Sequence, residues 1–364
     1  MLCLKTEEEE EEAAQLILPD SHRNGPINSE TEAKRDVTCG LSLLDQMFTV
    51  RCIWGISAKK LTPLPVWRPQ IKPQSRMSSS ARPVAAVCQL TVTQDKEANF
   101  SACERLVEEA KERGARMVFL PENFDYIGSS PEETLSLCES LTGETISRYT
   151  RLARKSDVWL SLGGFHERGH DWESDRRIYN THLIINNKGD VVSVYRKSHL
   201  FDVELPEKGV SLKESAFTIP GPCLVPPVQT PIGKVGLATC YDLRFPELSL
   251  ALRRRGAEVL TYPSAFTVAT GAAHWEVLLR ARAIENQCFV LAAAQVGRHG
   301  ERRRSYGHAL AVDPWGEVLA DCGGEGPGVA LVEIDPEKVG STRRNMPVQR
   351  HRRDSGFYRG LQEA

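Results

Sequence analysis

Val84-Ala-Ala-Val-Cys-Gln-Leu90, following Pro83, is a run of strand length that is apolar but for Gln89. Residues 96–113 then repeat apolar positions at helical spacing up to Gly114, and Met117-Val-Phe-Leu120 is apolar throughout. A run too short for a helix and apolar on both faces predicts a strand buried on both sides, and two such strands joined by a helix predict parallel pairing. A second helix over 143–155 and a strand over 158–163 extend the pattern. From there the spacing changes. Residues 181–186 and 191–195 flank Asn187-Lys-Gly189, a hairpin signal, and Pro231-Ile-Gly-Lys234 leads into a strand over 235–239. Downstream, a helix at 245–255, a strand at 259–262, a helix at 274–286 and a strand at 288–295 alternate. Three late strands, 309–312, 316–320 and 328–334, close the domain. The alternation predicts an α/β fold with two mixed sheets covered by helices.

The 364 residues divide unevenly. Residues 1–82 read as a leader, 83–350 as the folded domain and 351–364 as a tail. Glu7 to Glu12 form an acidic block of the kind that stays solvated. From Met47 to Arg82 there are seven lysines and arginines, Arg51, Lys59, Lys60, Arg68, Lys72, Arg76 and Arg82, and no acid, with Phe48, Trp54 and Ile56 interspersed. That composition resembles a mitochondrial transit segment behind an acidic leader. Initiation at Met47 would give a mitochondrial form and initiation at Met77 a cytoplasmic one. The formal net charge of −2 supplies no field for nucleic acid, and no apolar stretch is long enough for a bilayer. Ten cysteines without a C-x-x-C pair point to reduced thiols in an intracellular compartment. The basic clusters 302–304 and 349–353 read as solvated loop or oligomer-contact residues.

The chemistry is suggested by what ends three of the apolar runs. Gly236-Leu-Ala-Thr-Cys240 ends on a thiol and turns at once into a helix-like segment, so the sulfur and the following N–H, that of Tyr241, would sit where a thiolate or oxyanion is favoured. Phe119-Leu-Pro-Glu122 ends on a carboxylate, whose burial would raise its pKa toward the range useful for proton transfer. Tyr195-Arg-Lys197 ends on an ammonium. Amide hydrolysis by a thiol needs a nucleophile, a base and an oxyanion partner, and Cys240, Glu122 and Lys197 can fill those roles. Singly, each has an ordinary structural explanation: strand cysteines are usually core, and a charged residue after a strand is usually solvated. Counting alone also leaves a Cys–His pair open, with His199, His274 and His308 near the candidate positions.

The segments FLPE at 119–122, YRKSHLFD at 195–202 and CYDLRFPE at 240–247 resemble, in order, the three motifs of the nitrilase (carbon–nitrogen hydrolase) superfamily. The resemblance extends from about Val84 to Tyr358. It implies Glu122 as general base, Lys197 as catalytic lysine, Cys240 as nucleophile, and Glu214 in Leu212-Lys-Glu-Ser215 as an additional catalytic glutamate, with Glu204 as the fallback across a loop of variable length. It also implies an αββα sandwich that pairs into a homodimer or larger homo-oligomer, and no metal or organic cofactor. The activity expected is that of an amidase acting on a small α-ketoamide through a thioester. Arg244 is then the candidate for a substrate carboxylate, with an ion pair to Asp242 or Glu247 as its structural alternative. Tyr241 and Phe124 are further substrate-binding candidates, and His166, Arg168, Phe266 and Trp275 complete the set.

Overall fold

In the computed structural model the described residues are 82–205, 210–301, 303–354 and 356–357. All of the leader but Arg82, and with it both start-site expectations, lies outside them. Strand β1 (Val84–Leu90) leads into helix α1 (Lys96–Glu112), and β2 (Ala115–Leu120) returns parallel to β1. Asp95 caps α1 by accepting from the N–H groups of Glu97 and Ala98. After the short helix α2 (Pro131–Leu137), α3 (Glu144–Ser156) crosses to β3 (Trp159–Arg168), parallel to β2. The hairpin read around Asn187-Lys-Gly189 forms as β4 (Ile178–Ile185) and β5 (Val191–Arg196), antiparallel.

A small hairpin, β6 (Asp202–Leu205) and β7 (Val210–Lys213), precedes the second sheet. That sheet begins with β8 (Val228–Thr230) and β9 (Gly233–Leu237), continues through helix α4 (Pro246–Arg254), β10 (Val259–Thr261) and helix α5 (Val268–Asn286), and reaches β11 (Phe289–Ala292). The stretch read as a single strand over 288–295 is in fact two. The chain leaves the second sheet at Ala293 and enters the first as β12 (Ala294–Arg298), followed by β13 (Arg304–Tyr306). Strands β14 (Leu310–Val312) and β15 (Val318–Asp321) return to the second sheet, and β16 (Gly328–Glu333) lies antiparallel against β1. Helices α6 (Pro336–Asn345) and α7 (Val348–His351) end the described chain.

The first sheet therefore runs β13-β12-β1-β2-β3-β4-β5 with β16 also on β1, and the second β15-β14-β11-β10-β9-β8. Alternation along β1 and β2 explains the layering. Ala85, Val87, Met117 and Phe119 face the core shared with the second sheet, whereas Ala86, Cys88, Leu90, Val118 and Leu120 face Cys103 and Val107 of α1 and Leu152 of α3. On the far side Leu248 and Leu252 of α4 and Trp275 and Leu279 of α5 cover the second sheet. Helix, sheet, sheet and helix give the expected αββα sandwich with two mixed sheets. Because both faces of the first sheet are covered, its strands read as continuous apolar runs rather than alternating ones. No described helix is long and apolar enough to cross a membrane.

Candidate active site

The strand ends converge at one end of the sandwich. Glu122 follows β2 by two residues, Lys197 follows β5 directly, and Cys240 opens a 3₁₀ turn (Cys240–Arg244) three residues after β9. Glu122 and Lys197 are almost wholly buried, and Cys240 is partly exposed, at the wall of a cavity of about 700 Å³. Lys197 Nζ donates to Glu122 Oε1 at 3.1 Å and to Glu214 Oε1 and Oε2 at 3.0 and 2.9 Å. The Cys240 thiol and the Glu122 carboxyl lie close enough that each shifts the other's ionisation. Glu214 also accepts from the Phe201 N–H at 2.7 Å. Of the two glutamates, Glu214 is the one that reaches Lys197; Glu204 sits on the small hairpin, two-thirds exposed, at 4.0 Å from Lys213.

Several residues hold this arrangement that the sequence reading did not single out. Asn180 on β4 donates from Nδ2 to Glu122 Oε1 at 2.8 Å, and the Ala265 N–H donates to Glu122 Oε2 at 3.0 Å. The only cue to Asn180 was the polar run Asn180-Thr-His182 between the apolar ends of β4. A bulge in β3 between Leu162 and Phe165 brings Gly163 and Gly164 under the site. At Gly164, φ is +68° and a Cβ would stand 2.7 Å from Glu122 Cγ and 2.9 Å from Asn180 Oδ1, so only glycine lets the strand pass this close. Cys240 itself has φ +46°, a conformation costing about 1–3 kcal/mol for a residue with a Cβ. It is held by its N–H donating to Pro263 O at 3.0 Å and by Asp242 next to it. Asp242, fully buried, accepts from Thr239 N–H (3.0 Å), Tyr195 Oη (2.8 Å) and His199 N–H (3.1 Å), and so ties the cysteine turn to the lysine turn.

The charges decide the resting protonation. Burial pushes the Glu122 carboxyl up, but the Lys197 ammonium together with the nearby Cys240 thiol and hydrogen bonds from Asn180 and Lys197 outweighs it, and the net shift is downward. The expected upward shift is thus corrected: the sequence shows the burial but not a cation contributed by a strand 75 residues away. Burial and the Glu122 carboxylate hold the Cys240 thiol well above its ordinary range, although Lys197 pulls it down. Burial alone would depress Lys197, but Glu122, Glu214 and Cys240 around it raise it instead. The free site therefore holds a carboxylate, an ammonium and a neutral thiol, with the proton positioned to pass from sulfur to carboxylate.

Arg244 and Tyr241 both line the cavity. The Arg244 guanidinium lies 3.3 Å from His274 Nδ1 and over the rings of Tyr241 and Phe266, while Asp242 is committed elsewhere. His166 and Phe266 line the cavity too. Phe124 does not, which corrects its placement as a substrate contact: the chain turns over at Asn123 (φ +58°), and Phe124 packs in the outer core against Tyr149. Arg168 donates instead to Cys138 O, and Trp275 is buried with Nε1 donating to His308 O. The histidines of a Cys–His reading are engaged elsewhere: His199 with Asp242 and stacked on Phe245, His274 with Arg244, His308 with Asp321.

A four-layer αββα sandwich with a thiol, a carboxylate and an ammonium at its sheet ends is built for cleaving carbon–nitrogen bonds. Residues 84–344 match the carbon-nitrogen hydrolase family, and the chain belongs to it as an amidase-type hydrolase. It is 59% identical over 276 residues to the human protein named deaminated glutathione amidase, covering 76% of this chain and 84% of that one. The bovine protein of the same name is 58% identical over 286 residues, 78% of this chain and 87% of that one. Among solved structures, the C. elegans NitFhit protein superimposes with a TM-score of 0.72 at 50% identity, covering 76% of this chain and 66% of that one.

Proposed function

We propose that this chain hydrolyses the amide of deaminated glutathione, releasing 2-oxoglutarate and cysteinylglycine, with Cys240 as nucleophile, Glu122 as base and Lys197 as oxyanion partner. The contact set of Glu122 with both Cys240 and Lys197 carries this reading. The identity to proteins named for that activity supports the substrate. Glu122 takes the thiol proton as sulfur attacks the carbonyl carbon, and the carbonyl electron pair moves to oxygen, where the Lys197 ammonium and the Tyr241 N–H offset the charge. Collapse of the tetrahedral species expels the amine, which leaves with the proton held by Glu122. Water, deprotonated by the same carboxylate, then opens the thioester and the thiol is restored. Glu214 positions Lys197 through two hydrogen bonds. Arg244 receives the α-keto carboxylate.

The experiment is turnover of deaminated glutathione and of α-ketoglutaramate by the purified protein, with cysteinylglycine and ammonia both measured. Preference for α-ketoglutaramate would make the chain an omega-amidase instead. Cys240→Ala should abolish hydrolysis with folding intact, and retained activity would overturn the nucleophile assignment.

The oligomer is proposed on the surface of the outer helix layer. Val277 and Ile284, seven residues apart on α5, are 69% and 44% exposed, and Trp315, whose neighbour Gly316 abuts Ile284, is 64% exposed. An apolar patch of this kind suits a homodimer interface. Mitochondrial and cytoplasmic forms from Met47 and Met77 are a further proposal, tested by fluorescent fusions starting at Met1, Met47 and Met77.

A further inference from the structure

Arg303 and Arg304 line the cavity that holds Cys240, at its exposed rim beside Glu301. Among the described residues neither guanidinium has an acidic partner, so two cations face one nearby carboxylate. Their distance from the reacting centre can be followed along the backbone. Ala265 donates its N–H to Glu122 at 3.0 Å, and two residues further Thr267 bridges Ser305 in antiparallel fashion, with the Tyr306 N–H donating to Phe266 O at 3.0 Å. Arg304 is the residue before Ser305. An extended backbone advances about 3.3 Å per residue, so Arg304, one position beyond the Thr267–Ser305 bridge, and Arg303, two beyond it, have backbones roughly three and four residues, about 10–13 Å, outward from Ala265, and their side chains reach back to line the cavity.

An extended dipeptide leaving group spans roughly 7 Å from its amine nitrogen to its carboxylate, and the long arginine side chains that line the cavity cover the remainder. We propose that Arg303 and Arg304 form the leaving-group subsite, binding the glycine carboxylate of cysteinylglycine as the peptide lies along residues 265–267. The inference rests on deaminated glutathione being the substrate. Guanidinium groups suit the role because their planar fork meets a carboxylate through two parallel hydrogen bonds, where a lysine offers a point charge. The pair would also separate a dipeptidyl amide from a primary amide, whose leaving group is ammonia and reaches neither arginine. Arg303 and Arg304 thus acquire a function within the site, in place of the solvated or oligomer-contact role read from sequence.

The test compares the wild type with Arg303→Gln, Arg304→Gln and the double variant on three compounds: deaminated glutathione, the same molecule with its glycine carboxylate capped as the amide, and α-ketoglutaramate. The double variant should lose about tenfold to a hundredfold in kcat/KM on deaminated glutathione, mainly through KM. It should stay within about twofold on α-ketoglutaramate. The capped compound should be a correspondingly poor substrate for the wild type, and the double variant should worsen it no further. Equal losses on deaminated glutathione and α-ketoglutaramate would mark a structural role, and no loss on either would mark bystanders; each overturns the subsite. Wild-type protein that cleaves α-ketoglutaramate but not deaminated glutathione would remove the substrate reading, and the subsite with it.

Discussion

Replacing Glu122 by glutamine should separate two properties that a simple activation scheme would couple. In the native site the carboxylate is both the proton acceptor and a negative charge against the sulfur, and it raises the Cys240 pKa. Glu122→Gln keeps the shape and can still accept at one oxygen from Ala265 N–H or Lys197 Nζ, but it removes the base and the charge. Loss of general-base assistance should lower kcat by about 10²–10⁴. A unit charge at about 4 Å, screened with an effective dielectric of about 20, is worth roughly 4 kcal/mol. At 1.36 kcal/mol per unit this is about three pKa units, so the thiol should ionise much more readily in the variant, with Lys197 still beside it. The assay is the pH dependence of alkylation at Cys240, followed peptide by peptide by mass spectrometry because Cys223 and Cys322 are also accessible to some degree. Wild-type alkylation should keep rising to alkaline pH, whereas the variant should reach its plateau about three units lower while hydrolysing substrate far more slowly. An unchanged or higher plateau pH in the variant would refute the electrostatic account of the thiol. Undiminished hydrolysis would refute Glu122 as the base.

Other perturbations test the scaffold around that pair. Gly164→Ala places a Cβ 2.7 Å from Glu122 Cγ on a backbone with φ +68°, so the carboxylate must move. A displacement near 1 Å should cost about 10²-fold in kcat, with a smaller loss in Tm, and kinetics with thermal melts will show which dominates. Asp242→Ala strips a buried acceptor from Thr239, Tyr195 and His199 and should lower the unfolding free energy by about 3 kcal/mol in denaturant titrations, slowing hydrolysis as both turns loosen. The acid limb of kcat/KM should fall below the ordinary glutamate value of 4.5, since Glu122 is shifted downward. By the same sign, the stability contributed by its ion pair is present above the unfolded-state pKa and lost as pH falls through the folded one. A limb near neutrality would contradict the lowered carboxylate.

How far the site could be read from the chain depends on which forces act locally. Strand β1 coincides with its apolar run, Val84 to Leu90, because a strand covered on both faces needs no polar alternation and a proline marks its start. The run over 288–295 was equally apolar yet crosses from one sheet to the other at Ala293; neither glycine nor proline marks the crossing, because both sheets offer the same kind of interior. Helix α5 begins six residues earlier than its periodicity indicates, since Val268 to Ala273 carry small side chains and Gly271 lies against the Tyr306 ring. Glu122, Lys197 and Cys240 stood out as candidates because each follows an apolar run, which is a local property, and their roles came from the resemblance of the three surrounding segments to family motifs. Their protonation was not, because it is set by distances between strands.

The same distinction explains Phe124 and Asn180. Phe124 lies two residues beyond Glu122, and strand alternation would put both on one side, but the positive φ of Asn123 reverses the chain and sends the aromatic ring into the outer core. Asn180 reaches Glu122 only because β4 pairs antiparallel with β3 so that Asn180 lies opposite His166, a register imposed by the Gly163-Gly164 bulge as much as by the strands themselves. A glycine pair therefore does for the base what Asp242 does for the nucleophile. Each fixes a backbone conformation that local sequence preference would avoid, and the strain at Cys240 and the close approach at Gly164 bring sulfur and carboxylate together before any substrate arrives. The reactive pair is then set by the scaffold, and in the proposed reading substrate discrimination falls to charged groups that line the cavity: Arg244, and Arg303 and Arg304 at the rim.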